Sequence, residues 1–236
     1  METPGYTTLT RQTGLLREMQ VIANNVANTS TAGFRREGVI FSEYITRLDG
    51  EPSLSMAQGN ARHVDLAQAG LTQTGGTFDL ALQGEGFFLL ATPVGERLTR
   101  AGAFSASGEG TLVNRDGYTL LDAGGAPVPV PFGARTVTVS SDGTLSADGQ
   151  PVAQIGVWRP VDHLSLRHQA GTMFSATEID PATDATIHQG FLEDSNVQPV
   201  SEIARMISVQ RTYELGQKFL EAEDERQRTV IQTLGR

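Results

Sequence analysis

A chain of 236 residues with no cysteine and a formal net charge of −9 is long enough for one well-cored domain or two smaller lobes, and it excludes disulfides, thiolate metal sites and cysteine nucleophiles. Residues 1–45 carry four basic and four acidic side chains and residues 200–236 six of each, so the acidic excess sits in 46–199, with eight basic against seventeen acidic. Neutral ends suit surfaces packed on other chains and an acidic middle suits a solvated lobe; no basic stripe, membrane-length apolar run or secretory leader is present, which argues against nucleic-acid binding, membrane insertion and a cleaved signal peptide.

The first predicted element is a helix over residues 5–29. Leu15, Met19, Ile22 and Val26 form one stripe on a 3.6-residue period, with Leu9, Leu16 and Ala23 on the adjacent side. The polar run Asn28-Thr29-Ser30-Thr31, with Gly33, ends it. Residues 46–77, rich in Gly, Ser, Gln and Thr, read as an extended linker with short strands.

From 78 to 195 the chain reads as an antiparallel β lobe. Turns are expected at Gly75-Gly76, Gly84-Glu85-Gly86, Ser107-Gly108, Asp116-Gly117, Gly124-Gly125, Asp142-Gly143 and Asp148-Gly149. Strands are expected between them at 78–82, 87–91, 111–114, 118–121, 136–139 and 151–158.

The last element is a helix over about 200–235, with Ser201 as N-cap and Glu202 favoured at the positive helix end. Ile203, Met206, Gln210, Tyr213, Gln217, Leu220, Asp224, Gln227, Ile231 and Leu234 repeat three-four without a break. That seam is apolar at its ends and polar in its middle. Its burial alone does not offset the backbone entropy of ordering the helix, so the helix needs partners. The fold class is α+β: helix, β lobe, helix, with the chain ends meeting in space.

The search for reaction chemistry yields no convergent site. His63, His163, His168 and His188 show no metal-ligand spacing, and Gly84-Glu85-Gly86 lacks the rest of a phosphate fingerprint. Arg100 and Arg115 are lone arginines, read as solvated or paired. An enzyme reading rests on a carboxylate pair such as Asp79 and Asp116, which no spacing supports. A surface adhesin using the β lobe as recognition head leaves the neutral heptad ends unexplained. The chain is read as a structural subunit with no enzymatic activity, cofactor or metal.

Two terminal segments carry a specific signal. The run Ala23-Asn24-Asn25-Val26-Ala27-Asn28-Thr29-Ser30-Thr31-Ala32-Gly33-Phe34-Arg35-Arg36 resembles the N-terminal signature of the bacterial flagellar axial proteins, the rod and hook subunits. Gly190-Phe191-Leu192-Glu193-Asp194-Ser195-Asn196-Val197, followed by Met206-Ile207 and Gln210-Arg211 with Tyr213-Glu214, is similar to the second signature of that family. Asp79-Leu80-Ala81-Leu82-Gln83-Gly84-Glu85-Gly86-Phe87-Phe88, Leu98-Thr99-Arg100-Ala101-Gly102-Ala103-Phe104 and Leu112-Val113-Asn114-Arg115-Asp116-Gly117-Tyr118 resemble its β-lobe motifs.

The resemblance implies terminal helices paired as a coiled coil within the inner tube of the axial structure, with the β lobe facing outward. It divides the chain into a helical assembly domain of 1–45 plus 196–236, the linker 46–77 and the lobe 78–195. The implied subunit-interface residues are Leu15, Met19, Ile22, Asn24, Asn25, Val26, Asn28, Gly33 and Phe34, then Ser195, Asn196, Val197, Ile203, Met206, Ile207, Gln210, Arg211, Tyr213, Leu220 and Ile231. Implied partners are copies of the chain, other rod proteins and the flagellar type III export apparatus, and the implied location is the basal-body rod spanning the periplasm. The lobe is small for a hook subunit. The run from Asn28 to Arg35 drifts from the distal-rod pattern, so the proximal rod is expected and the distal rod is the alternative.

Overall fold

The computed structural model describes residues 3–46 and 54–234, with side chains over 8–40 and 62–233. Residues 47–53 of the expected linker and the Leu234 side chain of the expected seam lie outside the described residues. In chain order the elements are α1 (Thr3–Ala27), β1 (Glu37–Thr46), β2 (Leu54–Val64), β3 (Leu71–Gln73), β4 (Leu80–Gln83), β5 (Phe87–Thr92), β6 (Gly95–Thr99), β7 (Ser105–Ala106), β8 (Leu112–Val113) and β9 (Thr119–Leu120). There follow β10 (Val137–Val139), β11 (Thr144–Ala147), β12 (Gln150–Gln154), β13 (Val157–Pro160), a three-ten turn (His163–Ser165), β14 (Arg167–His168), β15 (Met173–Ser175), β16 (Ile179–Pro181), β17 (Thr186–Gln189), β18 (Phe191–Glu193) and α2 (Pro199–Leu234). Two helices with antiparallel sheets make the fold α+β.

The described chain forms two compact units. One holds α1, Glu37–His63 and the chain from Gln198 onward; the other holds Asn28–Arg36 and Val64–Val197. The second unit is built around β5. Strand β6 runs antiparallel along one edge, with Phe88 opposite Thr99 and Ala91 opposite Glu96. The other edge is shared: β13 takes Phe87 and Phe88, and β9 takes Leu90 and Ala91.

Both faces of β5 are covered, which explains an apolar run with no polar alternation. Phe88 and Leu90 enter a cluster with Leu80, Leu82, Phe104, Leu112 and Leu120. Phe87 and Leu89 enter a second with Leu98, Leu121, Leu166 and Phe174.

The turn chemistry works as its residues dictate at the β11–β12 hairpin. Asp148 and Gly149 both have positive φ, 49° and 83°, the two left-handed positions that a two-residue type I′ turn requires. Two expectations change. The strand over 151–158 is broken: β12 ends at Gln154, Ile155 makes a single bridge to Asp122, and the chain restarts in β13 beside β5. A Cβ at Gly156 would stand 2.8 Å from the Asp122 carbonyl oxygen, so the break falls where only glycine passes. Helix α2 begins at Pro199, whose missing N–H suits the first helical turn, so Ser201 lies inside that turn and is not the cap.

Candidate functional site

The helices α1 and α2 lie side by side and antiparallel, because rising positions on one meet falling positions on the other. The Gln12 side-chain amide donates to the Tyr213 carbonyl at 3.1 Å, Arg205 pairs with Glu18 at 2.8 Å, and the Asn25 amide donates to Glu202 at 3.0 Å. Between them Leu15, Ile22 and Val209 are buried, flanked by Met19, Val26, Met206 and Tyr213.

The face of α2 turned to α1 is therefore Glu202, Met206, Val209 and Tyr213. It differs by one position from the expected seam, since Ile203 is 49% exposed and Gln210 is exposed. The unbroken three-four repeat pointed to Ile203 and Gln210, while the observed register places Glu202 where the buried Asn25 supplies a donor.

Asn25 is completely buried and uses both ends of its amide on the chain that leaves the helix. Its carbonyl accepts from the Glu37 N–H at 3.0 Å, and its amino group donates to the Glu37 carbonyl at 2.9 Å. The side chain thus stands in for a neighbouring strand and starts β1. Asn28 accepts the Thr31 hydroxyl at 3.1 Å in the turn after α1.

Gly33 follows with φ +73°, and a Cβ there would meet the Ala101 amide nitrogen at 2.3 Å, so the first signature needs glycine for both conformation and clearance. Its N–H donates to the Glu193 carbonyl at 2.7 Å. Phe34 beside it is fully buried, its ring edge-on to His168 at 5.9 Å.

The two signatures meet in a buried ionic cluster within the second unit. The Arg35 guanidinium pairs with Glu193 at 2.8 Å and donates to the Ala67 carbonyl at 2.6 Å. Arg100 pairs with the other Glu193 oxygen at 3.3 Å, donates to the Gly84 carbonyl at 2.5 Å, and lies over the Phe87 ring at 5.6 Å. Burial pushes the Arg100 guanidinium down to about 10, against the opposing pull of Glu193, and it lowers Arg35 in the same way. Arg100 remains cationic at neutral pH.

Asn196 completes the arrangement. It accepts the Arg36 N–H at 2.6 Å and donates to the Asp65 and Ala67 carbonyls, each at 3.0 Å. Three separate segments, 33–36, 65–69 and 193–196, are therefore fastened together by side chains of the two signatures.

Other expected residues fall in different places. Val197 is buried, while Ser195 is half-buried and caps the Val197 N–H. Arg211 is exposed, Leu220 half-buried, Ile207 46% exposed and Ile231 70% exposed. Asn24 faces partial solvent. Of the four histidines, His168 packs on Phe34 and Phe174, and His188 bonds Gln83 at 2.8 Å. Among the described residues no group of three or more His, Asp or Glu side chains is placed to hold a metal, and no helix is long and apolar enough to cross a membrane. Asp79 accepts the Thr74 hydroxyl and Asp116 sits in the Asn114 turn.

The sequence reading missed Arg35, Glu193 and Arg100 as a unit. The one available signal was their presence in three separate motifs, since nothing local reveals that they touch.

Comparison with known proteins points one way. Residues 188–233 match the family described as flagellar basal body rod FlgEFG protein C-terminal, and residues 81–147 match the flagellar hook protein FlgE/F/G D1 domain. The chain is 37% identical to the flagellar basal-body rod protein FlgF of Caulobacter vibrioides, covering 100% of this chain and 99% of the relative. It is 36% identical to FlgF of Mesorhizobium japonicum over 98% and 97%, and 30% identical to the rod protein FlgG of Bacillus subtilis over 88% and 90%.

Proposed function

The chain belongs to the flagellar basal-body rod proteins, and from that premise we propose that its α1–α2 pair is a coiled coil that polymerises by covering its remaining apolar faces with neighbouring subunits. The protein is a non-enzymatic structural subunit of the proximal rod, part of the axial shaft that carries motor torque to the hook.

The observation that carries the reading is the distribution of apolar residues around α2. One face packs on α1, yet Val200, Ile203 and Ile207 lie exposed on one flank and Leu215, Phe219 and Val230 on the other, at about 100° per residue. A helix apolar on three sides is a buried helix, and nothing within the described unit buries those two flanks.

In this reading residues 1–45 and 196–236 form the assembly domain, 46–77 connects, and the lobe 78–195 faces outward. Leu15, Met19, Ile22, Val26, Met206 and Tyr213 hold the pair together; Ile203, Ile207, Gln210, Arg211, Leu220 and Ile231 meet other subunits. Asn24, Asn25, Asn28, Gly33 and Phe34, with Ser195, Asn196 and Val197, fix the path of the chain between helix and lobe. The partners are further copies and other rod proteins. Export runs through the flagellar type III apparatus, without membrane insertion or nucleic acid, to the rod in the periplasm.

Ile203→Asp tests it. The residue is half-exposed in the monomer, so the chain folds, but a carboxylate buried between subunits costs several kcal/mol. The variant chain should be stable in the cell, absent from purified hook–basal bodies and unable to restore swimming to a deletion strain. Normal swimming with Ile203→Asp would overturn the proposal.

A further inference from the structure

The two buried arginines of the lobe each leave one donor unspent. Arg35 gives its terminal nitrogens to Glu193 at 2.8 Å and to the Ala67 carbonyl at 2.6 Å. Arg100 gives its own to Glu193 at 3.3 Å and to the Leu82 and Gly84 carbonyls. In both, the remaining guanidinium nitrogen, Nε, is buried and has no hydrogen-bond partner among the described residues. The two side chains are 1% and 3% exposed, so bulk water does not serve these N–H groups either. A buried donor is almost always satisfied, because one left without an acceptor keeps its full desolvation cost.

The charges of the cluster are unequal as well. Two guanidinium groups share one fully buried carboxylate, that of Glu193. Asp65 attracts Arg35 and Glu85 attracts Arg100, but Asp65 is half-buried and Glu85 exposed, so solvent weakens both. A buried cation in excess favours a counter-charge beside it.

Arg35 and Arg100 line a common recess. Leu66 and Pro160 give it apolar walls, and the exposed Arg159, His163 and Glu85 complete it. Arg159 also pairs with Asp184 at 3.6 Å, and Glu85 is the one acidic side chain on the lining. A volume of about 10 Å³ admits a single water-sized group and is too small for a tetrahedral oxyanion. The occupant that suits the lining is therefore monatomic, accepts hydrogen bonds and carries negative charge.

We propose that this recess binds one chloride ion, held by the Nε–H groups of Arg35 and Arg100. The ion joins the segment after Gly33 to the end of β6, a second fastening beside Glu193. The site lies wholly within the lobe unit, so it stands or falls independently of how the helices assemble.

The full chain as a dilute monomer tests it, unfolded by heat in sodium chloride and in sodium sulfate at matched ionic strength. Sulfate strengthens burial in proteins generally by exclusion from their surface, and it does not fit the recess. A chloride site reverses that order: the midpoint should rise by at least about 3 °C with chloride and level off as the site fills, and bromide should act likewise. Sulfate as effective as chloride, or a rise that never levels off, would overturn the proposal.

Arg100→Met removes one donor and the excess charge while leaving Glu193 paired with Arg35, so the chloride dependence should vanish. Its persistence would place the ion elsewhere and overturn the assignment. Bromide in crystals of the wild-type chain gives an answer that does not depend on the variant folding. An anomalous peak between Arg35 and Arg100 is expected; no peak there, or bromide on exposed arginines as an adventitious ion only, would overturn the site.

Discussion

Glu193 is buried between two guanidinium groups, and the cost of that burial decides how the residue behaves on substitution. Its attraction to Arg35 and Arg100 compensates a desolvation penalty of several kcal/mol per ion, so the triad adds little net stability while intact. Removing the carboxylate strands two buried cations. Glu193→Ala should therefore destabilise the chain by about 3–5 kcal/mol in urea unfolding, and a loss under about 1 kcal/mol would contradict the account. Asp148 acts at the surface and through pH. Hydrogen bonds from the Thr136 and Arg135 N–H groups hold its carboxyl below the ordinary 3.8. A depressed folded value gives stability that is full above the unfolded value and is lost as pH falls through the lower folded one. Asp148→Asn keeps the turn geometry without the titration, so the slope of unfolding midpoint against pH below about 4 should flatten; an unchanged slope would remove Asp148 from that role. At this scale the motifs were legible and their contacts were not. Asn25 and Gly33 stood out by type, but the partners Glu37, Glu202 and Ala101 are chosen by tertiary packing that no local pattern carries.

The elements that could be read were those whose burial matches a simple period. The run 87–91 is recoverable because four consecutive apolar residues need two covered faces, and β5 has them. Phe88 meets Phe104 edge to face at 5.4 Å in the larger cluster, so Phe88→Ala should cost about 3–5 kcal/mol in the same urea assay. A cost below about 1 kcal/mol would mean the lobe closes over the gap. By contrast β6 is hidden by Gly95-Glu96-Arg97, whose polar start masks the buried Leu98 and Thr99. The break at Gly156 is invisible for the opposite reason: 151–158 alternates well enough for one strand, and only the approach of Asp122 splits it. The first turns of α2 show a third kind of error. The unbroken three-four repeat placed Ile203 and Gln210 on the inner face, whereas Asn25 draws Glu202 inward and turns Val209 with it.

Across the whole molecule the two units differ sharply in how much apolar surface they bury. Among the described residues the helix pair's core cluster holds three buried apolar residues, Leu15, Ile22 and Val209, while the lobe's two clusters hold fourteen and seven. Opening free energy follows buried apolar area, so the helices should open far more often than the lobe in an isolated chain. That expectation was partly legible in the sequence, because a seam with Gln and Asp at its centre cannot stabilise a long helix alone. Amide exchange by mass spectrometry on the dilute monomer should show α2 at least 100-fold less protected than β5, about 2.7 kcal/mol in opening free energy. In purified hook–basal bodies the same α2 amides should approach the protection of β5, since the flanks at Ile203, Ile207, Leu215 and Phe219 then lie against other chains. Equal protection of α2 and β5 in the monomer would mean the helices need no neighbours. The polymerising role would then lose its physical basis, because a helix already stable alone gains little by being covered.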